Sequence, residues 1–172
     1  SDFVSAPFVD LRQPDVLLSG TRQYRVDYAT GRWAFTHNWQ PADGKFLTDM
    51  VLRRTLPNGR DYLFHLGGHR LGVVVYAIEG ESARRSAMLG GRWMGTDDLG
   101  AGDAAGMYFW HDADGDGQVA EAEMTWTQQP GKGFAYSALA PGWWADERGD
   151  LWLADQVTRS ILRLKLQGFD ER

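Results

Sequence analysis

Cysteine is absent from this chain of 172 residues, so no disulfide framework, thiolate metal ligand or cysteine nucleophile is available. The chain also has no run of about 18 apolar residues, and the sequence therefore predicts no transmembrane helix. Basic residues are outnumbered, with 18 Lys and Arg against 23 Asp and Glu, which gives a net charge of −5. A nucleic-acid partner is accordingly not expected.

Signatures of catalysis are missing as well. The chain contains neither a Gly-x-Ser-x-Gly elbow nor a Gly-x-x-x-x-Gly-Lys-Ser/Thr phosphate loop. Its paired acids, Asp97-Asp98 and Asp146-Glu147, lie in glycine-rich stretches that are typical of turns, where we expect solvated charges. The sequence therefore favours a protein without catalytic activity.

The chain begins Ser-Asp-Phe, without an initiator methionine. A basic stretch followed by an apolar segment, as in a signal peptide, is not present at this point. From these two features we expect a processed or excised chain, from which a signal or neighbouring domains have been removed.

The composition predicts one folded domain that spans residues 1–172. Apolar residues make up 43% of the chain and include eight tryptophans, enough for a sizeable core. Glycine is frequent, at 21 residues, which favours many turns and therefore many short strands. An all-β, antiparallel fold is the expected class.

Alternating apolar and polar residues mark the individual strands. The first 20 residues read as an extended lead-in with one strand, and residues 46–56 fit either a short helix or a bulged strand. Strands are predicted at 24–28, 33–37, 61–65, 71–78, 83–89, 107–110, 151–155 and 160–166. Residues 90–106 are predicted to form a long exposed loop.

An acidic loop at residues 112–123 carries the clearest chemical signal. Its sequence, Asp-Ala-Asp-Gly-Asp-Gly-Gln-Val-Ala-Glu-Ala-Glu, fits the twelve-residue calcium loop of EF-hand and dockerin-type sites. Calcium requires several oxygen ligands, and a short loop can supply them only by turning alternate residues inward. The predicted ligands are Asp112, Asp114, Asp116, the main-chain carbonyl of Gln118, and Glu123.

Two features separate this loop from that of an EF-hand. Ala120 stands at position 9 and supplies no ligand, so solvent or another part of the chain would have to fill that place. Strand-like residues precede the loop, and only residues 120–124 could form a helical turn after it. We therefore expect a calcium loop inserted between two β-strands. The alternative is an Asp/Gly-rich surface turn that binds no ion.

The end of the chain resembles a known repeat. Asp146-Glu-Arg-Gly149-Asp150-Leu-Trp-Leu-Ala-Asp155, followed by Ile161-Leu-Arg-Leu164, is similar to one blade of the NHL-type β-propellers. Together with the acidic loop, it resembles bacterial extracytoplasmic propeller proteins that carry an EF-type calcium loop between blade strands. The resemblance implies about four blades, or part of a larger propeller.

The expected function is that of a non-catalytic, calcium-binding β-domain in which Ca²⁺ acts as a stabilising staple. A site with three Asp, one Glu and no ligand at position 9 should bind calcium at moderate strength, and such a site stays filled only where calcium is abundant, so an extracytoplasmic location is expected. The predicted partner is an unknown protein or a carbohydrate. Trp143 and Trp144, in a Pro-Gly loop, are the candidates for ligand contact.

Two alternatives remain open. One is a carbohydrate-binding module that uses loop aromatics. The other is a calcium-dependent propeller lactonase, which would hold a catalytic metal with Glu, Asn and Asp side chains from several blades. The chain has only two asparagines, Asn38 and Asn58, and both lie in sequences typical of turns, which speaks against the lactonase.

Overall fold

A computed structural model describes residues 7–39, 50–67, 72–91, 107–126, 143–155 and 159–170. Over these ranges the protein is all-β, which confirms the predicted fold class, and paired strands run antiparallel throughout. The one helical segment among them is a 3-10 turn at Glu121–Glu123.

The described strands form three sheets, each with its members in chain order. The first sheet contains β1 (Phe8–Val9), β2 (Val16–Ser19), β3 (Arg22–Asp27) and β4 (Arg32–Asn38). The central sheet contains β5 (Met50–Thr55), β6 (Asp61–Gly67), β7 (Gly72–Glu79), β8 (Ser82–Gly91), β9 (Met107–His111) and β10 (Met124–Trp126). The third sheet contains β11 (Trp143–Ala145), β12 (Leu151–Asp155) and β13 (Ser160–Leu164).

The structure corrects three sequence predictions and resolves one that was left open. The lead-in holds two strands, β1 and β2, instead of one. The ambiguous stretch resolves as strand β5, whose register opposite β6 runs without a bulge. The tryptophans predicted to lie in a loop belong to strand β11. Of the predicted loop at 90–106, the first two residues belong to β8, and residues 92–106 lie outside the described ranges.

Strands β5 to β7 of the central sheet are buried on both faces, because they carry apolar residues at consecutive positions. In β7, Val74 and Tyr76 join a cluster with Leu18 of the first sheet. Their neighbours Val73 and Ala77 point the other way, into a cluster with Ala145 of the third sheet. Since side chains alternate along a strand, a continuous apolar run such as β7 covers two cores at once. Leu18 of the first sheet and Ala145 of the third sheet thus pack against opposite faces of β7.

A β-bulge in β8 positions the strand next to the acidic loop. The pairing of β7 with β8 jumps from Val75 opposite Ala87 to Tyr76 opposite Arg85, which leaves Ser86 out of the ladder. The Ser86 carbonyl instead accepts a hydrogen bond of 2.9 Å from the N–H of Asp112. Bulges re-aim the side chains around them, and this one lies beside the first residue of the loop, to which Ser86 extends the pairing of β8 with β9.

Within the described part of the chain, we find no helix of the length and apolar character needed to span a membrane.

Candidate metal site

The acidic loop connects two adjacent antiparallel strands of the central sheet. Trp110 in β9 lies opposite Met124 in β10, so the loop is the connection of a β-hairpin. A 3-10 turn at Glu121–Glu123 precedes β10 directly. Strands on both sides, with a single helical turn at the exit, confirm the setting that the sequence predicted for this loop.

The fold brings the three aspartates of the loop together. Carboxylate oxygens of Asp112, Asp114 and Asp116 all lie within 4.8 Å of one another. Asp112 is buried, whereas Asp114 and Asp116 are exposed. Two exposed carboxylates above a buried one form an acidic cup that is open toward solvent.

Main-chain N–H groups of the loop hold the buried carboxylate in place. Oδ1 of Asp112 accepts hydrogen bonds from Gly115 N at 3.0 Å and from Gly117 N at 3.1 Å. Both glycines have positive φ angles, 85° and 71°, which other residues rarely adopt. The tight turn around Asp112 therefore depends on glycine at these two positions.

The remaining aspartates organise the backbone in the same manner. Oδ1 of Asp114 accepts a hydrogen bond of 3.1 Å from Asp116 N, and Oδ1 of Asp116 accepts one of 2.7 Å from Gln118 N. Gln118 is exposed, and the next residue, Val119, packs against the core cluster that contains Trp110. The apolar position 8 of the loop thus anchors it to the sheet.

Glu123 closes the loop from the other end. Its Oε1 accepts hydrogen bonds from Ala113 N at 2.7 Å and Asp114 N at 3.2 Å. Its Oε2 accepts one of 2.8 Å from the indole Nε1 of Trp110, whose side chain is fully buried. In the described structure Glu123 therefore lies against the start of the loop, outside the cluster that the three aspartates form.

Sequence reasoning missed a basic partner of this site. The guanidinium of Arg84, in β8, contacts Oδ2 of Asp112 through Nη1, and its Nε donates to Oε1 of Glu79 at 3.0 Å. Arg84 lies 28 positions before Asp112. A charged residue on a predicted strand ordinarily points to solvent. The sequence therefore offered no signal for the contact between Arg84 and Asp112.

The residues present fit a calcium ion. Oxygens bound to one Ca²⁺ at about 2.3–2.6 Å can lie up to about 5 Å apart, a limit that the aspartate cluster meets. All donors are oxygens, which suits a hard cation. Five carboxylates in twelve residues, with no basic residue among them, also make the loop strongly negative.

The two tryptophans that the sequence suggested for contact with a protein or carbohydrate partner lie on β11, at the edge of the third sheet. They are Trp143 and Trp144. The ring of Trp144 is 44% exposed, and the guanidinium carbon of Arg54 lies 4.7 Å from its centroid. Arg54 is buried, and its Nε donates a hydrogen bond of 2.8 Å to the Ala145 carbonyl. Burial lowers the pKa of this guanidinium from its ordinary value. Arg54 thus links the central and third sheets beneath Trp144.

The segment that resembles an NHL blade is stabilised by its own acidic residues. Oδ1 of Asp146 accepts hydrogen bonds from Arg148 N at 2.9 Å and Asp150 N at 3.1 Å, and its Oδ2 accepts one from Trp152 Nε1 at 3.1 Å. Asp150 is buried and pairs with Arg163 of β13. Asp146 therefore has a structural role, which the expectation of solvated charges for Asp146-Glu147 did not include. The other acidic pair, Asp97-Asp98, lies outside the described residues.

Comparisons with protein-family models, curated proteins and solved structures returned no match to this chain.

Proposed function

We propose that this protein is a non-catalytic, calcium-stabilised β-domain and that its acidic loop holds the ion. The observation that carries the proposal is the convergence of the Asp112, Asp114 and Asp116 oxygens within 4.8 Å at the tip of one hairpin. Like charges placed so close repel one another, and a bound cation would remove that repulsion. Because the loop joins β9 to β10, an ion there would clamp these two strands.

A propeller-like arrangement is part of this proposal. In a propeller, antiparallel sheets stack face to face around an axis, and here the two faces of β7 pack against residues of the first and third sheets. The hydrogen bonds of Asp146 and Asp150 also give the residues of the NHL-like segment a defined role in one hairpin. These features support a bacterial NHL-like propeller, or part of a larger one.

The proposed location is extracytoplasmic. The described ligand set leaves position 9 without a side-chain ligand, and extracellular calcium modules have dissociation constants of about 0.1–1 mM. A site of this strength fills only where calcium is abundant. The ion would then act as a permanent staple, since binding to the folded state alone stabilises a protein by mass action.

Calcium titration calorimetry on chelator-treated protein tests the proposal. The parent chain is expected to bind one Ca²⁺ with a dissociation constant near 0.1–1 mM and to melt at higher temperature at saturation. Asp114→Ala removes an exposed ligand side chain and is expected to abolish both effects. Glu121→Gln removes the same charge from an exposed, non-ligand position of the loop and should retain both. Absence of binding heat and of a melting shift at 10-fold higher calcium (about 10 mM) would overturn the proposal.

A second candidate function, carbohydrate binding, is favoured by the exposure of Trp144. Its ring is backed by Arg54 and remains 44% exposed, and exposed aromatic rings can stack on the faces of sugars. A glycan array with the parent and Trp144→Ala tests this candidate. Binding that is lost in the variant would support it, whereas no glycan signal from the parent would exclude it.

A further inference from the structure

We propose that Arg84 is an internal counter-cation of the acidic loop, which a calcium ion must displace from Asp112 and which therefore sets the affinity of the site. This inference rests on the proposed calcium function. It begins with the two oxygens of Asp112. Oδ1 already accepts hydrogen bonds from Gly115 N and Gly117 N, so Oδ2 is the oxygen left for an ion. That oxygen is the one that Arg84 Nη1 contacts.

The burial of this pair explains why the arginine is needed when the loop holds no ion. The Asp112 side chain is only 1% exposed and that of Arg84 is 21% exposed. Burying a carboxylate is costly because it loses its hydration, and the two main-chain hydrogen bonds to Oδ1 leave the negative charge without a counter-charge. Arg84 supplies the compensating charge from a different hairpin.

Displacement of Arg84 from Asp112 would not leave the arginine unpaired. Its Nε already donates to Glu79 Oε1 at 3.0 Å, and Glu79 is about half exposed. The arginine stem also lies against the loop, since a Cβ added to Gly117 would stand 3.1 Å from Arg84 Cγ. The guanidinium can therefore give up Asp112 and keep Glu79, while its charge stays close to the loop.

The size of the effect follows from the charges. A positive charge that remains several ångströms from a divalent ion repels it, and solvent and salt at the protein surface screen that repulsion. Removing that charge is therefore expected to tighten calcium binding roughly tenfold. The low affinity proposed for this site would then be partly a property of β8, outside the loop.

The test compares calcium dissociation constants of the parent, Arg84→Gln and a control, Arg25→Gln, by titration calorimetry. Arg25 is an exposed arginine paired with Asp15 in the first sheet, so its removal changes net charge equally but far from the loop in sequence and sheet. Arg84→Gln is expected to bind about tenfold more tightly, and Arg25→Gln to match the parent. Equal or weaker binding by Arg84→Gln, with a parent that binds, overturns this inference alone. Absence of binding in the parent and in Arg84→Gln overturns the proposed function as well.

A second pair of variants keeps the test valid if Arg84→Gln does not fold. Glu79→Gln removes the other partner of Arg84, so the guanidinium should stay on Asp112 and calcium should bind several-fold more weakly than to the parent. Glu81→Gln removes the same charge from the exposed end of the same hairpin and serves as the control. Equal calcium affinities of Glu79→Gln and Glu81→Gln would contradict the proposed exchange of partners.

Discussion

Trp110 and Glu123 are joined by a hydrogen bond of 2.8 Å from the indole Nε1 to the carboxylate Oε2. One partner is a fully buried strand residue, and the other is the last residue of the acidic loop. The bond connects the last residue of the loop to a buried side chain of the core. Glu123 then reaches back to Ala113 N and Asp114 N, and these hydrogen bonds connect the last residue of the loop to its beginning.

Replacing the indole should therefore destabilise the hairpin. Trp110→Phe removes the donor and leaves a small cavity, and we expect a loss of about 2–3 kcal/mol in the free energy of unfolding. Denaturant unfolding in the presence of a chelator measures it. The control is Trp33→Phe, at a ring that is 42% exposed, for which less than about 1 kcal/mol is expected. Equal losses in the two variants would disprove the anchoring role.

Asp112 and Asp114 should differ in the absence of calcium. Asp112→Asn weakens the buried contact with Arg84, and a loss of about 1–3 kcal/mol in unfolding free energy is expected in a chelator. Asp114→Asn removes an exposed carboxylate, so its loss in the chelator should stay below about 0.5 kcal/mol. Denaturant unfolding of both variants in a chelator measures these losses. Similar losses in unfolding free energy would show that the contact between Arg84 and Asp112 adds no stability.

Gly149 should tolerate no side chain. Its φ is +84°, and an added Cβ would stand 2.8 Å from Leu166 Cδ2 and 3.2 Å from Leu56 Cδ1. Gly149→Ala is expected to cost about 2–4 kcal/mol, from backbone strain and the displacement of two leucines. Gly59→Ala, at a φ of +78° with open space around it, carries the strain alone, about 1–2 kcal/mol. Chemical denaturation of the two variants separates the contribution of backbone strain from that of the displaced leucines. Equal losses in unfolding free energy would contradict the close packing around Gly149.

Stability should fall at acid pH partly through Asp150. Hydrogen bonds from the Arg163 side chain and from Leu166 N hold the pKa of Asp150 below its ordinary value. A group with a lowered pKa in the folded state stabilises the protein above its unfolded pKa of about 3.9, and loses this contribution as pH falls through the folded value. Asp150→Asn should thus lower the melting temperature at pH 7 and flatten its decline below about pH 4.

The control for this pH profile is Asp15→Asn. Asp15 forms an exposed pair with Arg25, and exposed ion pairs contribute little to stability. Its melting temperature should follow that of the parent from about pH 7 to pH 3. If the melting temperature of Asp150→Asn fell at acid pH as steeply as that of the parent, the pair of Asp150 with Arg163 would not be linked to folding.

Local patterns were sufficient for the fold class and for the hairpin that carries the site. The apolar run in β7 predicted a buried strand, and the aromatic residues before the acidic loop predicted a strand there in place of a helix. The stretch that became β5 was ambiguous, because its apolar spacing suits a helix and a bulged strand equally. Pairing with β6 decided it, and such pairing depends on residues that a local pattern does not include.

The spacing of acids and glycines in the sequence predicted that Asp112, Asp114 and Asp116 meet in the acidic loop, because alternate residues of a tight turn can point to the same side. Only the tertiary structure decided what faces them. Arg84 reaches Asp112 because the central sheet places β8 beside β9 and the hydrogen bond from Asp112 N to the Ser86 carbonyl extends this pairing into the loop. The charge that balances the loop lies on another hairpin, and a contact of that kind is fixed by the register of strands and not by sequence spacing.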